Sequence, residues 1–191
     1  NIALNGSGTV IVSTDLVDWT TCSAAAGAVK PGLWLNENNG IGSWIAKTNA
    51  TTDPLLVSAD LLPVGCVTDI VRDSNSPTRY YAAVLGQGVY RSSNEGDTWT
   101  QVLDTTDHAE VANSRRIKLA VSAHVDSPVY AALITAPATA NPQNHQGALK
   151  ALLRSNNQGG SWNTMADIVT DDTVGESFGL HPGNQGLKNF A

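Results

Sequence analysis

One short phrase occurs twice in this chain. Ser92-Ser93-Asn94-Glu95-Gly96-Asp97-Thr98-Trp99 and Ser155-Asn156-Asn157-Gln158-Gly159-Gly160-Ser161-Trp162 both read Ser-x-Asn-x-Gly-x-[Ser/Thr]-Trp. An apolar residue and an arginine precede each copy, Tyr90-Arg91 and Leu153-Arg154. A phrase repeated together with its flanks means repeated supersecondary units, and such units cannot bury their apolar faces alone. The phrase itself reads as a hairpin turn. Asn accepts left-handed backbone and its side chain can bond nearby amides; Gly supplies positive φ; Ser and Thr hydroxyls satisfy free turn amides. The closing Trp is an apolar plate suited to a seam between neighbouring units. Arg91 and Arg154 stand at equal positions in the two copies and are structural by repetition.

The flanks spell strands. Runs rich in Val, Ile, Tyr and Thr, bounded by Gly, Pro and Asn clusters, predict strands over Val67 to Arg72, Tyr80 to Val84, Gly88 to Arg91 and Thr98 to Leu103. The same order follows at Ile117 to Val121, Val129 to Ile134, Ala148 to Arg154 and from Ser161 to Met165, with an insertion over Thr135 to Gly147. Earlier in the chain the pattern degrades. Val10 to Trp19 reads as the end of a unit with a damaged turn. Leu33 to Leu35, Ser43 to Ala46 and Leu55 to Val57 are strand-like pieces, and Ala24 to Ala26 could start a short helix. Gly186 to Ala191 reads as entry into another first strand.

Both phrases resemble the Asp-box, or BNR repeat, of sialidase-type β-propellers, with Asn94 and Asn157 in place of the family's Asp. Val67 to Leu103 resembles one whole blade of such propellers, and Arg116 to Met165 another. The resemblance implies an all-β fold of four-stranded antiparallel blades, in an incomplete ring of about three blades. The expected division is a divergent blade or blades with a degenerate box over 1–66, a blade over 67–115, a blade with an inserted loop over 116–185, and the start of a further blade over 186–191. The structural box residues are Ser92, Asn94, Gly96, Trp99, Ser155, Asn157, Gly159 and Trp162. In this family the box is a folding element and not the catalytic site. About three blades leave two open apolar faces. The expected partners are therefore further blades of the same polypeptide, copies of the chain, or another chain completing the ring, with a fragment of a longer chain favoured.

Composition bounds the function. The net charge is −6 and only 15% of residues are charged, which argues against a nucleic-acid groove; Arg115, Arg116 and Lys118 are too small a basic cluster to change that. No run approaches the length of a membrane span. Two cysteines, Cys22 and Cys66, can pair in an oxidising compartment or sit as small buried residues. Asn5-Gly6-Ser7 and Asn49-Ala50-Thr51 match the glycosylation acceptor pattern.

Propeller topology puts the boxes on one face and the long segments, Asp104 to Arg115, Thr135 to Gly147 and Asp167 to Gly186, on the other. Long loops on a rigid scaffold are where binding is expected. The binding candidates are His108, Arg115, His145 and His181. Asp104 and Asp107 are the candidate carboxylate pair for glycoside hydrolysis, although pairs at that spacing also cap turns. Asp171, Asp172 and Glu176 could hold Ca²⁺ through oxygen ligands, the plainer reading being a solvated acidic loop; no other cofactor is called for. Trp19, Trp34 and Trp44 could stack on sugar rings, but seam plates are the favoured reading. The Arg-Ile-Pro motif of sialidases does not occur, nor does a phosphate loop, a Cys-x-x-Cys pair or a serine-nucleophile elbow.

The expected function is a non-catalytic binding or scaffold segment of a secreted or periplasmic β-propeller protein, with carbohydrate or protein as ligand. The alternative is part of a xyloglucanase-like glycoside hydrolase. A third resemblance, to photosystem assembly factors and sortilin-like receptors, implies protein binding.

Overall fold

The computed structural model describes residues 2–4, 10–14, 32–48, 58–135 and 149–165 of the 191-residue chain. They form three four-stranded antiparallel sheets. The first contains Ile2–Leu4 (β1), Val10–Thr14 (β2), Gly32–Asn36 (β3) and Ile45–Ala46 (β4). The second contains Val67–Arg72 (β5), Tyr80–Val84 (β6), Gly88–Ser92 (β7) and Thr100–Leu103 (β8). A single helical turn, Glu110–Asn113 (α1), leads to the third: Ser114–Val121 (β9), Val129–Thr135 (β10), Leu149–Ser155 (β11) and Asn163–Thr164 (β12). In every sheet the strands neighbour one another in chain order. These are consecutive blades of a β-propeller-type fold, built by simple meanders.

The middle blade shows why the sequence stacks this way. In β6, Tyr80, Ala82 and Val84 point to one side and Tyr81 and Ala83 to the other, and all five are buried. Period-two alternation normally separates an apolar from a polar face; here both faces are apolar because the sheet lies between two others. Tyr80, Ala82, Val84, Tyr90 and Trp99 meet Ile11, Leu33 and Leu35 of the first blade. Tyr81, Ala83, Val89 and Leu103 meet Ile117, Ala131, Leu133, Ala151 and Leu153 of the third. Full burial of a large apolar side chain contributes about 1.5–3 kcal/mol, against about 1 kcal/mol for a net hydrogen bond. The seams are therefore held mainly by apolar packing.

Polar links set the register between blades. Thr68, the bulged residue of β5, donates through Oγ1 to the Ile117 carbonyl at 3.0 Å and accepts from the Ile117 amide at 3.2 Å. Asp69 Oδ2 accepts from the Leu119 amide at 2.9 Å and lies 3.4 Å from Lys118 Nζ. The first strands of two blades are thus tied side by side. At the turn end, the fully buried Asp73 carboxylate accepts from Arg79 Nη1 at 2.8 Å, from Ser127 Oγ at 3.0 Å and from the Asn75 amide at 2.9 Å. Asn75 Nδ2 in turn donates to the His124 carbonyl at 2.6 Å. Asp73 therefore links the β5–β6 turn of one blade to the β9–β10 turn of the next.

Several expectations from the sequence need correction. Val10–Thr14 is not the end of a blade but an inner strand, hydrogen-bonded to β1 on one side and β3 on the other. Arg115 and Arg116 do not belong to a loop. Strand β10 continues to Thr135, which pairs with Ser114, so both arginines are strand residues, Arg116 paired with Ile134 and Arg115 at the bulge between the two pairs. The segment before them contains the helical turn α1, which the sequence reading did not foresee. Its Val111 is buried and Ser114 Oγ donates to the Val111 carbonyl at 2.7 Å. In β11, Leu149, Ala151 and Leu153 are buried and Leu152 is half-buried. Trp19, Ala24 to Ala26, Leu55 to Val57 and Gly186 to Ala191 lie outside the described residues.

Candidate functional site

The two repeated turns share one hydrogen-bond pattern. Ser92 Oγ accepts from the Gly96 amide at 2.8 Å and the Asn94 amide at 3.3 Å, and donates to Asn94 Oδ1 at 3.0 Å. Asn94 Oδ1 also accepts from the Thr98 amide at 3.0 Å, while its Nδ2 donates to Thr98 Oγ1 at 3.0 Å. In the second copy Ser155 Oγ accepts from the Gly159 amide at 2.8 Å, and Asn157 joins the Ser161 amide and hydroxyl at 2.9 and 3.0 Å. Positive φ falls on Glu95 (60°) and Gly96 (92°), and on Gln158 (61°) and Gly159 (89°). The asparagines thus act through their side chains, and the left-handed backbone expected of them is taken by the residues that follow. All these groups serve the turn itself.

Each turn is seated on the preceding blade. A Cβ at Gly96 would lie 2.8 Å from Ile11 Cδ1, and one at Gly159 would lie 2.8 Å from Val102 Cβ. Arg91 Nη1 donates to the Gln158 carbonyl at 2.9 Å. Lys47 Nζ lies 2.7 Å from Asp97 Oδ1.

A third turn of this kind, missed in the sequence, spans Asn36 to Trp44. Asn36 Oδ1 accepts from the Asn38 and Gly40 amides, both at 2.8 Å, taking the part that Ser92 Oγ plays. Positive φ falls on Asn39 (53°) and Gly40 (79°). Strand register confirms the equivalence: Leu35 pairs with Ile45 as Arg91 pairs with Thr100 and Arg154 with Asn163. Asn in place of Ser, and one extra residue before Ser43, hid it. The surviving signal was Asn-x-Asn-x-Gly closed by Ser-Trp.

The opposite face carries the described loop candidates Asp104, Asp107 and His108. There the β6–β7 turn and the segment before β5 meet, with Gln87 Nε2 donating to the Val64 carbonyl at 2.7 Å. The crossing after β8 packs beside them, the Ala112 carbonyl 3.6 Å from where a Gly86 Cβ would stand. Within that crossing Asp104 Oδ1 accepts from the Thr106 amide and the Thr106 hydroxyl, both at 2.6 Å. Asp107 Oδ2 accepts from the Asp104 amide at 3.0 Å. The bonds from Thr106 hold the Asp104 carboxyl below the usual carboxylate range. The two carboxylates cap the two ends of one turn. His108 Nδ1 accepts from the Glu110 amide at 3.3 Å at the start of α1. Arg115 stands on β9, away from this turn in sequence and exposed. His145, His181, Asp171, Asp172 and Glu176 lie outside the described residues. Among the described residues no cluster of His, Cys, Asp and Glu could hold a metal ion, and no helix is long and apolar enough to cross a membrane. Cys66 is disulfide-bonded, and the only other cysteine in the chain, Cys22, lies outside the described residues.

No family model matches this chain, and no curated protein does. Among solved structures, the chain is similar to the GH74 xyloglucanase from Xanthomonas campestris. The identity is 17% and the TM-score 0.49, over 93% of this chain and 23% of that one. It is also similar to a GH74 enzyme from Niastella koreensis at 18% identity and a TM-score of 0.46, over 85% of this chain and 20% of that one. This chain thus spans less than a quarter of the length of either.

Proposed function

We infer that this chain is a non-catalytic binding or scaffold segment of a secreted β-propeller protein, engaging carbohydrate or protein through the loop face. Its repeated turns are read as Asp-boxes with Asn94 and Asn157 in the acidic position. The observation that carries the reading is the use made of the polar groups. The turn side chains bond their own turn, and the carboxylates of Asp104 and Asp107 cap a loop. What remains for a ligand is a rigid scaffold presenting loops. The disulfide at Cys66 supports an oxidising compartment.

The test is a panel of soluble polysaccharides, each assayed for binding by affinity electrophoresis and for hydrolysis by reducing-end release. Retarded migration with no new reducing ends is the expected result. Hydrolysis lost in Asp104→Ala or Asp107→Ala would overturn it.

The alternative is part of a glycoside hydrolase acting on polysaccharide, with Asp104 and Asp107 as its candidate carboxylate pair. The neighbours named above are xyloglucanase and GH74 enzymes, and hydrolysis of xyloglucan in the same panel decides between the two readings.

A further inference from the structure

The two turns recognised from the sequence carry Glu95 and Gln158 just before their positive-φ glycines, whereas the third carries Asn39. An Asn-Gly pair can react with itself. Once a base takes the proton of the Gly40 amide, that nitrogen attacks Asn39 Cγ. The new N–Cγ bond closes a five-membered succinimide, the Cγ–Nδ2 bond breaks, and Nδ2 leaves as ammonia. Water then opens the ring at either carbonyl and leaves aspartate or isoaspartate. Glycine suits the reaction because it has no side chain to shield the nitrogen. Glu95 has no amide to lose, and Gln158 would have to close a less favourable six-membered ring.

The fold opposes the first step. The Gly40 amide donates to Asn36 Oδ1 at 2.8 Å, and the Asn38 amide donates to the same oxygen at 2.8 Å. Asn36 Nδ2 donates to the Ser43 carbonyl at 2.9 Å and to the Ile41 carbonyl at 3.3 Å. One side chain, only 2% exposed, thus ties both limbs of the turn. An amide held in this way meets base only when the structure opens locally, which is also why hydrogen exchange reports local opening. All four bonds lie within the turn, so they do not depend on what packs against the blade. The other Asn-Gly pair of the chain, Asn5-Gly6, lies outside the described residues.

We propose that Asn39 is a site of spontaneous deamidation, and that Asn36 keeps it unreactive while the turn is closed. The modification is one-way. An isoaspartate at this position routes the main chain through the side-chain carbon, lengthens it by one bond and displaces the Gly40 amide from Asn36. The turn then cannot close again as before, so each productive opening is recorded in the covalent structure. This chemistry is independent of whatever the loop face binds.

The test is peptide mapping by mass spectrometry of the 191-residue chain incubated at mildly alkaline pH. It follows conversion of Asn39 to the acid, and scores isoaspartate in the same peptide. In the folded chain Asn39 should convert at least about ten-fold more slowly than in the same chain unfolded in guanidinium chloride. Asn36→Ala, still folded by circular dichroism, should speed the folded-state reaction by about ten-fold, because the Gly40 amide loses its acceptor. Asn36→Ser should keep the protection, since Ser92 Oγ accepts from the amides two and four residues on, as Asn36 Oδ1 does. Equal rates in the folded and unfolded chain overturn the proposal without any variant. A folded Asn36→Ala chain that reacts no faster than wild type also overturns it, as does an Asn39 that never converts in the unfolded chain.

Discussion

Trp162 donates its indole N–H to the Val102 carbonyl of the preceding blade at 2.6 Å, whereas Trp99, at the same position one blade earlier, donates to Gly96 of its own turn at 2.9 Å. One ring links two blades through a polar atom; the other is a plate buried in the seam, 4% exposed. Trp99→Ala should cost about 3–5 kcal/mol. Trp162→Ala should cost roughly 1–3 kcal/mol, for a partly buried ring and one hydrogen bond. Urea unfolding of both variants checks the order, and equal losses would show that the two rings do the same job.

The turn chemistry makes a second prediction. Ser92 is fully buried and its Oγ accepts from the Gly96 amide at 2.8 Å. Ser92→Ala leaves that amide unsatisfied and should cost about 1–3 kcal/mol. Asn94→Asp keeps the oxygen that serves the Thr98 amide and lets the Thr98 hydroxyl donate in place of Nδ2, so it should be close to neutral. Thermal midpoints of the two variants separate these outcomes; a large loss from Asn94→Asp would contradict the assigned acceptor role.

The Tyr81 hydroxyl is buried without a hydrogen-bond partner, and burial pushes its pKa up to about 12. The folded pKa lies above the unfolded one, so the protonated form is favoured by folding. Its contribution to stability is complete below about pH 10 and is lost as pH rises toward the folded value. Tyr81→Phe removes an orphan hydroxyl from the seam and should be neutral or stabilising by about 1 kcal/mol at pH 7. It should also flatten the loss of stability at alkaline pH. Chemical denaturation at pH 7 and at pH 11 measures both effects, and an unchanged alkaline slope would assign that loss to other groups.

Reduction should destabilise the protein. Cys66 is disulfide-bonded and Cys22 is the other cysteine in the sequence. A cross-link restricts the unfolded chain, typically by about 2–4 kcal/mol. Mass spectrometry after alkylation should find no labelled thiol before reduction and two after it, with a lower unfolding midpoint in the reduced protein. A labelled thiol in the untreated protein would refute the pairing.

The repeated turns were legible in the sequence because their bonds are local: Ser92, Asn94, Gly96 and Thr98 satisfy one another within a single hairpin. Strands β5 to β7 were legible for a related reason. Alternating Tyr, Ala and Val between Gly- and Pro-bearing turns leaves few other conformations that pair the backbone. The bonds by which Asp104 and Asp107 cap their turn are local too, which is why capping was the plainer reading of that pair. The tertiary structure alone decided what depends on non-local contact. It made Val10–Thr14 an inner strand, since β3 comes from beyond a long intervening segment. It drew Arg115 into β9 through pairing with β10. It gave equivalent tryptophans different partners, because the indole of Trp162 meets a carbonyl on another blade. The turn at Asn36 was also hidden for a physical reason: an amide oxygen can replace a hydroxyl as acceptor, and an added glycine is absorbed by the loop, so the geometry persists after the phrase has changed. Local hydrogen bonding leaves its mark in neighbouring residues, whereas a seam between sheets is a property of residues far apart in the chain.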